Sequence, residues 1–185
     1  RTQVMSFFSI IIIIIIFIFT SKYTIGYDIP ETIAGKQNDF INYTTLLENK
    51  GSTIKLERLD SNPLSIIKNI PQALTNTFFR PFPTEIKSLF LLISFLENLL
   101  IVICFVLMLF FFKKFNNERF RFSLFVILIV MIFYSLIGIS TPNLGAIARY
   151  KAPILPFLLM GIFNLLNTEK ILEKYLKRLD KTTIT

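Results

Sequence analysis

A carboxylate inside a long apolar stretch is the first feature of this sequence that could support chemistry. Glu97 and its neighbour Asn98 lie within residues 88–112, which are otherwise mainly apolar. Along a helix, Glu97 lies about 15 Å from the start of this stretch. A charge at the centre of a bilayer costs at least about 2.5 kcal/mol. Glu97 is therefore either functional, as a catalytic group or a proton or ion relay, or structural, through hydrogen bonds to Asn98, Tyr134 or Ser135.

A second group of polar residues lies in the segment 141–156, which is rich in turn-forming proline and glycine. Arg149 and Lys151 flank Tyr150 just before an apolar stretch that is broken by proline, and Asn143 precedes them in a turn. Arginine binds phosphate through two parallel hydrogen bonds, and lysine adds a point charge. We interpret Arg149 and Lys151 as candidate ligands of a lipid phosphate. The alternative is that both only anchor a tilted helix by reaching towards headgroups.

A third group forms a rigid corner. Two prolines fix the backbone of Arg80-Pro81-Phe82-Pro83-Thr84-Glu85 just before the apolar stretch 88–112. Arg80 is the third candidate for phosphate binding, and Glu85 joins Asn143 and Tyr150 as a residue of the interface corner. The alternative is a helix-entry corner whose two charges pair with each other or with headgroups.

The elements that must position these residues are membrane helices. The chain has 185 residues, of which 53% are hydrophobic, and four apolar blocks approach the roughly 20 residues that cross a bilayer. We predict an all-α, polytopic membrane bundle of about four transmembrane helices with a small extracytoplasmic subdomain. The predicted spans are residues 1–20, 88–112, 122–139 and the proline-broken 152–166. A membrane helix is preferred over a signal peptide for the first block, because Thr20-Ser21-Lys22 is a poor cleavage site.

The distribution of charge predicts the topology. The loop 113–121 holds four basic residues and one acid, and the tail 167–185 is also basic. Because short basic loops stay cytoplasmic, segments 21–87 and 140–151 are predicted to lie outside, in a multi-pass protein of a bacterial inner membrane. The net charge of +8 sits beside apolar helices, so it indicates contact with anionic membrane lipids and no nucleic acid.

The outer segment 21–87 has weaker patterns. Asn38 and Asp39 are typical of a helix start, and residues 53–58 alternate as in a short strand. Residues 63–79 predict an amphipathic helix that lies in the membrane interface or packs on the outer subdomain. Its apolar stripe comprises Leu64, Ile67, Ile70, Leu74 and Phe78.

The composition limits the cofactors. The chain has no His and one Cys, which removes the usual zinc and haem ligand sets. We predict no cofactor and no dedicated metal site, although a divalent cation held by carboxylates is left open.

Three sequence elements together resemble a known group of proteins. They are Arg80-Pro81-Phe82-Pro83-x-Glu85, then Leu96-Glu97-Asn98, then Thr141-Pro142-Asn143-Leu144-Gly145-Ala146-x-x-Arg149-Tyr150-x-x-Pro153-x-x-Pro156-Phe157. The series resembles the C-terminal third of polytopic bacterial membrane proteins from surface-polysaccharide clusters, which are similar to GT-C glycosyltransferases that use polyprenyl-linked sugars. The acidic catalytic loop of such enzymes lies near their N-terminus and is not in this chain.

The resemblance implies a glycosyltransferase-like protein whose C-terminal portion binds a polyprenyl-phosphate carrier, with catalytic residues unassigned. Arg80, Arg149 and Lys151 would hold the carrier phosphate, and Glu97 would organise the bundle with Asn98 and Tyr134. Two alternatives stay open. One is a component of a transporter or flippase in which Glu97 relays protons or ions. The other is a non-catalytic scaffold that binds other membrane proteins.

Overall fold

A computed structural model describes residues 2–46, 52–114 and 116–183, and the regular elements within these ranges are helical. For residues 2–8, 10, 11, 14, 15, 175 and 177–183 it describes the backbone alone. The helices are α1 (Thr2–Thr24), α2 (Ile29–Leu46), α3 (Pro63–Phe78), α4 (Leu89–Phe110), α5 (Asn117–Ser140), α6 (Leu144–Lys151), α7 (Leu155–Leu165) and α8 (Thr168–Thr183), with a 3₁₀ turn at Pro83–Glu85.

Short polar side chains start these helices. Asn62, Ser88, Asn116 and Asn143 precede α3, α4, α5 and α6, and each side chain accepts a hydrogen bond from a backbone N–H of the first turn. Such caps satisfy donors that the helix itself leaves unpaired. The predicted start of α2 at Asn38 is wrong. Its capping carboxylate belongs to Asp28, which accepts from the backbone N–H of Glu31 at 3.1 Å.

Two helices, α4 and α5, are long and apolar enough to cross a membrane among the residues that the structure describes. The pair α6 and α7, which meet at 60°, would form a third, broken span. These helices confirm the all-α class and indicate a membrane protein. Residues 2–20 of the first predicted span lie within α1, and their crossing of a membrane stays a prediction, as does the outer subdomain. Residues 54–60 hold no regular strand, although Thr53 forms an isolated bridge with Asn143.

The helix α5 is the centre of the bundle. One side packs on α7, which in turn contacts α4, and side chains of the three helices form a buried apolar cluster in which Val130 and Ile162 are among the most enclosed. The other side packs on α3, where a Cβ on Gly138 would collide with the carbonyl oxygen of Ala73. The hydroxyl of Thr77 donates to the carbonyl of Tyr134 at 2.9 Å. Because Ala73 faces Gly138 and Thr77 faces Tyr134, α3 runs antiparallel to α5.

Backbone hydrogen bonds connect distant segments of the chain at each end of the bundle. At one end the backbone N–H of Ile54 donates to the carbonyl of Pro142 at 2.8 Å, and that of Leu144 donates to the carbonyl of Ser52 at 2.9 Å. At the other end the N–H of Lys113 donates to the carbonyl of Leu165 at 2.8 Å. Residues 52–54 and Lys113 therefore lie near opposite ends of α5.

Candidate functional site

A buried lysine lies at the last residue of α6. The side chain of Lys151 is 1% exposed, and its ammonium lies 3.1 Å from a carboxylate oxygen of Glu97 on α4. The same ammonium donates to the side-chain oxygen of Asn98. A buried cation in apolar surroundings loses several kcal/mol of hydration, which only a close partner with good geometry offsets. Glu97 and Asn98 together supply that compensation.

Asn98 uses both ends of its amide. Its oxygen accepts from Lys151, and its nitrogen donates to the backbone carbonyl of Arg80 at 2.6 Å. The side chain is buried, so a partner lost from either end would leave a polar group unsatisfied. Asn98 thereby joins α4, the end of α6 and the corner that follows α3.

The corner itself is closed by a second ion pair. The guanidinium Nε of Arg80 lies 3.6 Å from a carboxylate oxygen of Glu85, and the other oxygen of Glu85 accepts from the backbone N–H of Phe82 at 2.8 Å. The guanidinium also lies 5.5 Å from the centre of the Phe82 ring. Of the two interpretations of this corner, the contacts match the one in which its two charges pair with each other.

Tyr134 lies beside this network. Its side chain is fully buried, and its ring centre lies 4.8 Å from that of Phe78 on α3. In the described part of the chain its hydroxyl has no hydrogen-bond partner, and Glu97 is close enough to act on it electrostatically. Counted from the near ends of α4 and α5, Glu97 and Tyr134 both lie about 10 Å along their helices. The polar group therefore lies at one depth inside the bundle.

The exposed members of the predicted site lie apart from this network. Arg149 is exposed, and its Nε donates to the carbonyl of Gly145 at 3.3 Å. No carboxylate pairs with it among the residues described. Tyr150 is also exposed, whereas Asn143 caps α6 and accepts from the hydroxyl of Ser52 at 3.3 Å. The structure brings together Arg80, Glu85, Glu97, Asn98 and Lys151, with Tyr134 beside them, and leaves Arg149 and Tyr150 at the surface.

The pairing of Lys151 with Glu97 was not part of the sequence prediction. Two sequence signals pointed to it: an acid deep in a predicted span needs a partner, and a lysine on the outer side opposes the usual charge distribution. No sequence pattern indicated the hydrogen bond from Asn98 to the backbone carbonyl of Arg80, because every residue has such a carbonyl. In ranges 2–46, 52–114 and 116–183, no group of three or more acidic, Cys or His side chains is arranged to hold a metal ion.

The arrangement pairs Lys151 and Arg80 with carboxylates and leaves Arg149 exposed, without a carboxylate partner among the described residues. Such a guanidinium can attract an anion, while the two ion pairs hold the supporting segments in place. Comparisons of the chain with protein-family models, with curated proteins and with solved structures found no match.

Proposed function

We propose that the protein is a membrane component of cell-surface polysaccharide assembly that binds the phosphate of a polyprenyl-linked carrier through Arg149. One observation carries the proposal: the Arg149 side chain is exposed and has no carboxylate partner in the described ranges. A phosphate offers the planar pair of acceptors that arginine binds best. The choice of a polyprenyl carrier and of a glycosyltransferase-like class rests on the sequence resemblance.

The buried network supports this role by holding α6 in place. Lys151 is two residues from Arg149, and its ammonium is fixed to Glu97 and Asn98 on α4. The last turn of α6 therefore cannot move without breaking a buried ion pair. Arg149 is presented from a fixed backbone, which lowers the entropy lost when it binds an anion. In this proposal Lys151 positions the site, because its own charge is compensated by Glu97.

Arg80 would contribute to phosphate binding only if the phosphate reached its corner. Its guanidinium is about a quarter exposed and is paired with Glu85. Asn98 links the Arg80 backbone to Lys151, so the corner and the end of α6 belong to one connected structure. A phosphate that reached this corner would compete with the Glu85 carboxylate for Arg80.

The test is lipid binding by the full-length protein, followed by native mass spectrometry with undecaprenyl phosphate as the added lipid. A charge-assisted hydrogen bond contributes about 1.5–3 kcal/mol, so Arg149→Ala should weaken binding at least about tenfold. Arg149→Lys should recover only part of the loss, because lysine lacks the planar fork.

The chain offers a matched control. Arg121 also makes a bond from Nε to the carbonyl four residues before it, that of Asn117 at 3.1 Å, but it lies near the opposite end of α5. Arg121→Ala should leave affinity for the added lipid unchanged. Equal affinity of the wild type and Arg149→Ala, or equal losses in both variants, would refute the proposal.

A second candidate function rests on one observation. Glu97 lies in α4, which is long and apolar enough to span a membrane, and pairs with Lys151 at the end of α6; acidic groups of this kind within spans mark ion and proton pathways. In a transporter or flippase, Glu97→Gln would abolish proton-coupled movement of substrate in proteoliposomes while lipid binding at Arg149 stayed normal. The two functions therefore predict different variants as the damaging ones.

A further inference from the structure

A cavity with apolar walls lies between four helices of the bundle. Its volume is about 310 Å³, and its lining residues come from α1, α2, α3 and α5. α3 supplies three of them, between Ile66 and Leu74, and α5 supplies six, between Leu128 and Ile139. Apart from Ser135, all the lining residues are isoleucine, leucine or methionine. A cavity with such walls offers water no hydrogen-bond partners and stays dry.

The one polar lining residue does not change this character. The hydroxyl of Ser135 donates to the carbonyl of Met131, four residues earlier in α5, at 2.7 Å. Its hydrogen is therefore used within the helix and is not offered to a ligand. The cavity thus suits a ligand without polar groups.

The lining residues of α5 form one stripe, which lies beside the contact of α5 with α3. They are spaced by three, one, three, one and three residues, so they fall within about 140° of the helix circumference. Tyr134 and Gly138, which contact α3, lie on the neighbouring side. Met131, Ile132 and Leu136 are each more than a third exposed although they line the cavity. The cavity is therefore accessible along α5.

The position of the cavity along α5 matches one leaflet of a bilayer. α5 is long and apolar enough to span a membrane, and it ends at Ser140. Measured from that end, the lining residues run from about 2 Å at Ile139 to about 18 Å at Leu128. Half of the hydrocarbon core of a bilayer is about 15 Å thick. The cavity therefore extends from the end of the span to just past the bilayer centre, as an acyl chain of one leaflet does.

The width of the cavity excludes a helix. Spread over the roughly 16 Å that the α5 lining residues cover, the volume of about 310 Å³ corresponds to a mean cross-section of about 19 Å². An α-helix with its side chains is about 10–12 Å across, which requires roughly 80–110 Å². A helix of a second copy or of a partner protein is too wide, whereas a single hydrocarbon chain is narrow. A polyprenyl chain is methyl-branched and longer than one leaflet, so an unbranched acyl chain fits better.

We propose that this cavity binds one acyl chain of a membrane phospholipid, from the leaflet at the Ser140 end of α5. The chain fills the space between α1 and the packed pair of α3 and α5, where the walls are hydrocarbon and the depth is that of lipid chains. This inference does not rest on the function proposed above, because neither Arg149 nor a phosphate takes part in it.

The test is binding of added phosphatidylethanolamine by the full chain in detergent, measured by native mass spectrometry. Ser135→Phe places a ring in the cavity and should weaken binding at least fivefold. Ser140→Phe is the matched control, because the Ser140 hydroxyl makes the same kind of bond, to the carbonyl of Leu136 at 2.7 Å, and Ser140 does not line the cavity. Its affinity should equal that of the wild type. If Ser135→Phe does not fold, Ser135→Leu against Ser140→Leu gives the same comparison, with a loss of about twofold.

Competition identifies the bound chain. Lysophosphatidylethanolamine, which has the same headgroup and a single acyl chain, should displace the bound phospholipid from the wild type. Undecaprenyl phosphate at the same concentration should not displace it, even if it binds elsewhere on the protein. The two competitors therefore separate this site from the phosphate site proposed above.

Four results would overturn the proposal. Equal affinity of the wild type and Ser135→Phe would show that no lipid chain enters the cavity. Equal losses in Ser135→Phe and Ser140→Phe would show that the effect is not specific to it. Displacement by undecaprenyl phosphate as effective as that by the lysophospholipid would assign the cavity to a polyprenyl chain. A dimer of the wild type that Ser135→Phe dissociates, with no phospholipid bound, would assign it to a second copy.

Discussion

A positively charged side chain is buried and paired at one end of the helical bundle, and such side chains are exposed at the other. Where α3, α4 and α6 meet, Lys151 is buried and is held by Glu97 and Asn98 in one geometry. Where α7 leads into α8, Lys170 and Lys174 stand exposed in a row. A buried cation must be compensated by particular neighbours, so it fixes the packing of helices. An exposed row needs no single partner, so it is suited to an extended surface.

The largest effect is expected from breaking the buried pair. Lys151→Met leaves the Glu97 carboxylate without its cation, and Glu97→Leu leaves the Lys151 ammonium without its anion. Loss of one partner of a fully buried pair costs about 3–5 kcal/mol, whereas replacement of both by apolar groups is often neutral. Because Glu97 is 28% exposed and Lys151 only 1%, Glu97→Leu, which strands the lysine, should be the costlier change. We expect each single variant to unfold at a much lower temperature in detergent and the double variant to recover most of the loss.

The exposed row provides the contrast. Lys174→Met removes the same charge at the surface, and such changes usually alter the free energy of unfolding by no more than about 0.5 kcal/mol. Equal destabilisation by Lys151→Met and Lys174→Met would show that the two ends do not differ. Additive losses in the double variant of Lys151 and Glu97 would show that the two residues do not act as a pair.

Much of the fold that carries these residues could be predicted from local patterns. The apolar stretch 88–112 became α4 (Leu89–Phe110), and the amphipathic stretch 63–79 became α3 (Pro63–Phe78). Both follow from residue spacing and from a cap directly before the helix, Ser88 in one case and Asn62 in the other. Length, hydrophobic pattern and capping act over a few residues, so a single sequence reveals them.

The contacts between distant segments could not be predicted in this way. Glu97 was expected to bond to Asn98, Tyr134 or Ser135, but its cationic partner is Lys151, and the Ser135 hydroxyl donates to the carbonyl of Met131. Local rules also misplaced the start of α2, because Asn38 resembles a cap and yet lies within a helix. Its amide donates weakly to the carbonyl of Leu59 at 3.4 Å. Tertiary contacts decide both cases.

A smaller effect on stability is expected from a change at the contact between α3 and α5. Gly138→Ala would force its Cβ against the Ala73 carbonyl, which is backbone and cannot rotate away. Overpacking of this kind costs about 1–3 kcal/mol, and it would move the Arg80 corner away from Asn98. In the control, Gly35→Ala in α2 meets nothing within 4 Å and should raise stability by up to about 1 kcal/mol.

Thermal unfolding of both alanine variants in the same detergent measures this difference. A lowered midpoint for Gly138→Ala and a raised midpoint for Gly35→Ala are expected. If Gly138→Ala is as stable as the wild type, α3 has room to move, and the buried end is less constrained than its contacts indicate.

The smallest effect is expected from the pair of Lys22 and Asp28, in which the lysine is exposed. The backbone N–H of Glu31 donates to the Asp28 carboxylate at 3.1 Å, and the Lys22 ammonium lies 3.3 Å from it. These contacts, the backbone hydrogen bond first, lower the pKa of Asp28 below its ordinary value. A carboxyl whose pKa is lower in the folded state stabilises the fold above its unfolded pKa of about 4 and loses that contribution as the pH falls further.

The unfolding temperature should therefore drop less between pH 6 and pH 3 in Asp28→Asn, which cannot ionise, than in the wild type. Lys22→Gln should keep most of the wild-type drop, because the backbone hydrogen bond outweighs the ion pair. If Lys22→Gln flattens the profile as much as Asp28→Asn does, the ion pair and not the helix cap is the cause of the lowered pKa.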